Sequence, residues 1–163
     1  MDGLLPLAHR VANLLKARSE NLAVSESSVG GLVSAALIAQ PGASAFFVGA
    51  TVIYTREAGR ILRKGSDINL KGLEPMTPLF VQALADGFRQ QMGADWATGE
   101  MGATGPAGSP YGFEAGTGCI AVSGPVSQAR LCETGSADRV GNMRAFARAQ
   151  LELLIACLEE AGN

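Results

Sequence analysis

The sequence predicts a three-layer α/β/α sandwich, folded as a single domain over residues 1–163. Segments with the spacing of amphipathic helices alternate with short runs rich in β-branched residues, and this alternation is typical of α/β folds. The chain has 163 residues, 47% of them hydrophobic, which suits one domain of ordinary size with a sizeable core. No internal repeat and no domain-sized linker interrupts the pattern.

Each element has its own signal. Apolar residues three or four apart predict helices, and runs rich in β-branched and aromatic residues predict strands. Thr77 followed by Pro78 predicts a helix start, because threonine caps a helix and proline fits its first turn. Gly124 and Pro125 join two of the strands. The predicted order is a helix at 3–18, a strand at 21–25, a helix at 30–39, a strand at 46–54, a helix at 56–64, a loop at 65–75, a helix at 77–92, strands at 96–101, 119–123 and 128–133, and a helix at 138–160.

The composition argues against several classes of partner. Only 17% of the residues are charged and the net charge is −2 with no basic block, so we expect no nucleic-acid partner. The longest apolar run is too short to cross a bilayer, and the N-terminus lacks a signal-peptide pattern. We therefore expect a cytoplasmic protein without a membrane partner. The low charged fraction leaves apolar surface for a subunit interface, which favours a homo-oligomer.

Metal ligands are scarce in this sequence. The chain has three widely spaced cysteines, Cys119, Cys132 and Cys157, and one histidine, His9. No CxxC pair is present, so a zinc site lacks the ligands that it needs. We expect reduced, buried thiols and no metal ion or other cofactor.

The first candidate for chemistry is the serine-bearing segment SESSVGG at 25–31. It lies between a predicted strand and a predicted helix, whose free N–H groups can hold an anion or an oxyanion. Gly30 and Gly31 would let a ligand approach the backbone closely. A serine here is a candidate nucleophile if a base takes its proton. The alternative is that Ser27 and Ser28 only cap the helix.

The second candidate is the glycine-rich segment GATGPAG at 102–108. Its backbone donors would suit a phosphate or a carbonyl group, although it is neither a P-loop nor a GxGxxG fingerprint. The alternative interpretation is an ordinary loop.

Together these segments resemble the CinA C-terminal family, whose best-known activity is hydrolysis of the amide of nicotinamide mononucleotide. The matching motifs occur in the same order over nearly the whole chain. The family's AESCTGG, PGAS, YSNEAK, GIAGPxGG, VGTV and GDRxxVR motifs correspond here to SESSVGG at 25–31, PGAS at 41–44, YTREAG at 54–59, GATGPAGS at 102–109, AGTGC at 115–119 and ADRVGNMR at 137–144.

The resemblance implies a metal-independent site with a serine nucleophile, a lysine base and a nearby tyrosine. The serine of ESCTGG corresponds to Ser27 and the tyrosine of YSNEAK to Tyr54. Arg144 is the first candidate for binding the substrate phosphate, and Arg139 is the second. The other implied contacts to a small nucleotide substrate come from the two glycine-containing segments, at Ser28, Gly30, Gly31, Gly102, Thr104 and Gly105.

Three positions depart from the family pattern. The lysine of YSNEAK corresponds to Gly59, the asparagine to Arg56, and the threonine of ESCTGG to Val29. Without a base in reach, a serine hydroxyl is a poor nucleophile, and general-base assistance is worth on the order of 10²–10⁴-fold. The departures leave three hypotheses open: an amidohydrolase with weak activity, a non-catalytic protein that binds a nucleotide or anion, and an interaction subunit without a ligand.

Overall fold

The computed structural model describes residues 1–66 and 68–162, and it is an α/β/α sandwich built on one five-stranded sheet. A short 3₁₀ turn at Ala43–Ala45 precedes the second strand. The helices are α1 (Leu5–Arg18), α2 (Leu32–Ile38), α3 (Arg56–Leu62), α4 (Pro78–Met92) and α5 (Arg139–Glu160), and the strands are β1 (Leu22–Glu26), β2 (Phe47–Val52), β3 (Trp96–Ala103), β4 (Thr117–Ser123) and β5 (Gln128–Glu133).

The strand order is β2-β1-β3-β4-β5. Strand β1 pairs in parallel with both β2 and β3, whereas β4 runs antiparallel to β3 and β5. The carboxyl ends of β1, β2 and β3 therefore lie at one edge of the sheet. In open α/β sheets this is the edge where ligands bind.

The side chains of the sheet divide by size between its two faces. Leu22, Val24 and Trp96 belong to the main core, which packs the sheet against α1, α2 and α5. The alternate positions carry smaller residues such as Ala23 and Ala97, which pack beneath α4. This alternation follows from the two-residue period of a strand, and it fixes which face each helix covers.

The predicted helices and strands are confirmed within two residues at their ends. Thr77 caps α4 by accepting from the N–H of Phe80 at 3.3 Å, with Pro78 in the first turn. The start of α2 is later than predicted, at Leu32 rather than Gly30. Both Gly30 and Gly31 have positive φ, at 66° and 94°, so neither adopts the helical conformation.

The three cysteines are free thiols, and Cys119 and Cys157 are buried as predicted, whereas Cys132 is only partly buried. Across residues 1–66 and 68–162, no three His, Cys, Asp or Glu side chains lie close enough together to hold a metal ion. In the same part of the chain, no helix combines the length and the apolar character that crossing a membrane requires.

Candidate functional site

The ends of three parallel strands bring the predicted serine, tyrosine and threonine to one place. Ser27 directly follows β1, Tyr54 lies two residues after β2, and Thr104 directly follows β3. All three line a cavity of about 1040 Å³, which we call the strand-end cavity. Gly59 of α3 lines it as well. The topology thus brings together segments that are far apart in the sequence and that the resemblance implies for one site.

The N-terminus of α2 is occupied by the protein's own carboxylate. Glu26 Oε2 accepts from the N–H of Gly31 at 2.7 Å, and Glu26 Oε1 accepts from the N–H of Ser34 at 2.8 Å and from the Ser34 hydroxyl. Glu26 is fully buried. A carboxylate at this position satisfies the free N–H groups and the helix dipole. The anion-binding role that the sequence suggested for this helix start is therefore filled from within the chain.

A second buried carboxyl, that of Glu100, accepts hydrogen bonds from residues 27–29, which we call the serine turn. Glu100 Oε2 accepts from the N–H of Ser27 at 3.0 Å and from the N–H of Val29 at 3.2 Å. The hydroxyl of Ser28 donates to Glu100 Oε1. Burial raises the pKa of Glu100, its three hydrogen bonds lower it, and the charge of Glu26 raises it further. The net direction is upward, because water is excluded from a carboxyl that is fully buried.

Neither serine caps α2, in contrast to the simpler of the two interpretations. The N-cap residue is Gly31, which has no side chain to bond. Ser28 is only 4% exposed and its hydroxyl is bonded to Glu100, yet it still lines the strand-end cavity. Ser27 is half-buried and also lines the cavity.

The glycine-rich segment also lines the cavity and lies directly beside the serine turn. A β-carbon on Gly102 would lie 2.8 Å from both the Phe146 ring and the Ser28 hydroxyl, so only glycine fits there. Gly105 has a φ of 101°, which again requires glycine. The Asn142 amide donates to the carbonyl of Thr104 at 2.9 Å and fixes the segment against α5.

Two arginine–tyrosine pairs lie at the cavity. Arg139 donates to the Tyr54 hydroxyl at 2.6 Å and to the carbonyl of Gly105 at 2.7 Å. Arg56 donates to the Tyr111 hydroxyl at 3.0 Å, with its guanidinium carbon 4.8 Å from the centre of that ring. All four side chains line the cavity. They place positive charge and aromatic surface side by side.

An arginine occupies the space beside Gly59, the position that corresponds to the family's lysine. A β-carbon on Gly59 would lie 2.7 Å from Arg63 Nη1 and 3.3 Å from the Ile53 side chain. Arg63 lies one helical turn after Gly59 and lines the same cavity. A guanidinium stays protonated at any working pH and cannot act as the missing base.

Three predicted contact residues lie away from the cavity. Gly30 and Gly31 do not line it, and the N–H of Gly31 donates to the Glu26 carboxylate instead. Arg144 lies at a separate depression formed with residues 1–4. It is five residues from Arg139 on the same helix, which rotates it by about 140° around the axis. Arg139, the second candidate, is therefore the arginine of α5 that reaches the cavity.

Sequence reasoning missed Glu100, Arg63, Tyr111 and Lys71, all of which line the cavity. Glu100 had a detectable signal. It is the one charged residue in the strand segment WATGEMGA, and a charge in a buried strand is rare without a structural or chemical role. Lys71 and Tyr111 come from loops, where residue type alone does not predict position.

Known proteins match this chain closely in sequence and in fold. The family model described as the CinA C-terminal domain matches residues 4–158. A CinA-like protein of Prochlorococcus marinus is 39% identical over 73% of this chain and 28% of its own length. One from Parasynechococcus marenigrum is 34% identical over 94% of this chain and 35% of its own length. The chain thus spans about a third of the length of these relatives.

The fold also matches solved structures. A crystal structure of a competence-damaged protein (CinA) superfamily protein from Klebsiella pneumoniae superposes with a TM-score of 0.85 at 28% identity. The match covers 96% of this chain and 98% of that one.

Proposed function

This chain belongs to the CinA C-terminal domain family, and from that premise we propose that its strand-end cavity binds a pyridine mononucleotide and hydrolyses the amide slowly. Nicotinamide mononucleotide is the ligand that the motif resemblance implies. It carries a phosphate, a sugar and a planar ring, so the cavity needs groups for each.

The observation that carries the proposal is the surplus of positive charge at the cavity. Among residues 1–66 and 68–162, four cationic side chains line it, in a protein whose net charge is −2. The carboxyls that the described residues place along it, Glu26 and Glu100, are buried and accept hydrogen bonds from the backbone. An anion entering the cavity therefore meets cations that are not neutralised by these carboxyls. The cationic residues are Arg56, Arg63, Lys71 and Arg139.

Aromatic surface at the same cavity suits the planar ring of the ligand. Tyr54 and Tyr111 both line it, and each is bonded to an arginine. Stacking between a ring and a tyrosine tolerates small changes in the ring, so a related nucleotide would bind by the same contacts.

Slow turnover follows from the environment of Ser27. The matched position for the family's lysine is Gly59, and the group beside it is the guanidinium of Arg63. The serine keeps its place at the strand end but lacks an amine that takes its proton. We therefore propose nucleotide binding as the main property of this cavity and amide hydrolysis as a slow reaction within it.

The test measures binding and turnover separately. Nicotinamide mononucleotide at about 100 times its Kd should stabilise the chain by about 2.7 kcal/mol, because it binds only the folded state. Released ammonia, measured in the same samples, reports hydrolysis. Arg139→Gln should weaken binding roughly 10- to 100-fold, since a charged hydrogen bond contributes about 1.5–3 kcal/mol.

Arg144→Gln is the matched control, because Arg144 is on the same helix but lies at the separate depression. It should bind the nucleotide as the natural chain does. Stabilisation without any ammonia would select the non-catalytic interpretation. No stabilisation by the nucleotide would contradict the proposal and favour an interaction subunit.

A further inference from the structure

One contact at the floor of the strand-end cavity joins a hydroxyl to a carboxyl. The Ser28 hydroxyl donates to Glu100 Oε1, and both residues line the cavity. The other oxygen of Glu100 is held by the N–H groups of Ser27 and Val29, at 3.0 and 3.2 Å. The carboxyl is thereby fixed on both sides and aimed at the hydroxyl of Ser28.

This is the arrangement that activates a hydroxyl nucleophile. A nucleophile needs a base within hydrogen-bond reach, and the base needs a third group that orients it. Here the two backbone N–H groups orient Glu100. Burial also raises the pKa of Glu100 from the ordinary value of a carboxyl, which makes it a better proton acceptor once ionised.

The neighbouring serine lacks this arrangement. The described residues show Ser27 bonded to Glu100 through its backbone N–H, and they show no such bond for its hydroxyl. A second serine–carboxyl pair, Ser34 with Glu26, has the same type of contact. Ser34 lies in α2 and does not line the cavity, so that pair serves the helix start instead.

We propose that Ser28 is the nucleophile of this site and that Glu100 is its general base. The inference rests on the proposed function. Because Ser27 lacks the base that the resemblance implies, we assign the slow amide hydrolysis of the natural chain to the neighbouring hydroxyl of Ser28. Ser28 Oγ bonds to the amide carbon as its proton passes to Glu100. The C–N bond then breaks, and Glu100 returns the proton to the departing ammonia.

A water molecule completes the cycle. It attacks the Ser28 ester, gives one proton to Glu100, and releases the carboxylic acid as that proton returns to Ser28 Oγ. The balance is one amide and one water converted to one carboxylic acid and one ammonia. No oxidant, metal or further reactant enters.

The test uses a fluorophosphonate, which reports nucleophilic serines without requiring the nucleotide. In this reaction Ser28 Oγ bonds to phosphorus, the P–F bond breaks, fluoride leaves, and the proton goes to Glu100. Peptide mass spectrometry of the natural chain should locate the adduct on Ser28. Ser28→Ala should abolish that adduct. Glu100→Gln should slow labelling by on the order of 10²–10⁴-fold, the usual contribution of a general base.

Ser34→Ala is the matched control, because it removes a hydroxyl donated to the other buried carboxyl, away from the cavity. Its labelling rate should equal that of the natural chain. An adduct on Ser27 or elsewhere, or no adduct on the folded natural chain, would overturn the proposal. An adduct on Ser28 in a chain that does not bind nicotinamide mononucleotide would support the nucleophile and reject only the proposed ligand.

Discussion

At the scale of single residues, Glu100 couples the site to pH. Burial raises its pKa in the folded chain above the ordinary value of 4.5. At a pH between the pKa of Glu100 in the unfolded chain and its pKa in the folded chain, the folded state keeps a proton that the unfolded state has lost. The contribution of Glu100 to the free energy of unfolding is therefore full below the unfolded pKa and falls as pH rises through the folded pKa.

The direction in which the contribution of Glu100 changes with pH gives a prediction for Glu100→Gln. Glutamine does not titrate, so the free energy of unfolding of the natural chain minus that of the variant should fall as pH rises from about 4 to about 8. Urea unfolding at several pH values measures the difference. A difference that stays constant or grows would show that the folded pKa is not raised. Glu57→Gln is the control, because Arg60 lowers the pKa of the exposed Glu57 and the small trend should have the opposite sign.

The cysteines give a second prediction at this scale. Burial raises the pKa of Cys119 to about 12 and that of Cys157 to about 11. At pH 8 a thiol with the latter value is only about one part in a thousand thiolate, the form that reacts. We expect iodoacetamide to modify the partly exposed Cys132 first in the folded chain. Peptide mass spectrometry over time measures the order, and earlier modification of Cys119 would contradict it.

At the scale of elements, the sequence predicted where each helix and strand lies. It did not predict which group accepts hydrogen bonds from the free N–H groups at the start of α2, or which group holds the serine turn. The periodic pattern of apolar residues is local, so α1, α4 and α5 could be read from it. The bonds of Glu26 to Ser34 and of Glu100 to Ser28 join α2 to β1 and the serine turn to β3. The second pairing spans 72 residues, and no local pattern specifies it.

A substitution in α3 tests whether the absence of the family's lysine at Gly59 limits the reaction. Gly59→Lys should raise ammonia release from nicotinamide mononucleotide, by on the order of 10²-fold or more, because the new amine can take the proton of Ser27 and so adds a second nucleophile to the Ser28–Glu100 pair of the natural chain. The nearby guanidinium of Arg63 favours the neutral amine that acts as the base. Lysine must displace the flexible end of Arg63, which lies 2.7 Å from the new β-carbon. A helix interior without glycine is more stable by about 0.5–1 kcal/mol, which offsets part of that cost.

Two further variants decide what causes any gain. Gly59→Gln fills the same space without an amine and should leave turnover at the natural rate. Gly59→Lys combined with Ser27→Ala should return ammonia release to the natural rate, because the new amine has no Ser27 hydroxyl to activate and the Ser28–Glu100 pair is unchanged. An equal gain in the glutamine variant would mean that filling the space, rather than supplying a base, speeds the reaction.

At the scale of the whole molecule, parallel topology explains why the site could be predicted in outline. Ser27, Tyr54 and Thr104 each follow a parallel strand, and adjacent parallel strands end at the same edge. The motif resemblance, which assigned them to one site, was therefore enough to predict that they lie together. It was not enough for Arg144, because its direction depends on the rotation of α5 relative to the sheet, which the core of that helix determines.

The last prediction is that the chain forms a homo-oligomer through the outer side of β2, the outermost strand of the sheet. In the described part of the chain, strand β2 pairs only with β1, so its outer edge is unpaired there, and such edges favour association unless they are protected. Val48 and Val52 of β2 are 43% and 48% exposed, and Ile38 of the adjoining α2 is 57% exposed. We expect this apolar surface to be the interface, so Val48→Glu should lower the mass measured by light scattering after size exclusion. Leu79→Glu is the control, since Leu79 is 72% exposed but lies on α4, across the sheet. A natural chain with the mass of a monomer, or an equal loss of mass in the control, would show that this surface does not join subunits.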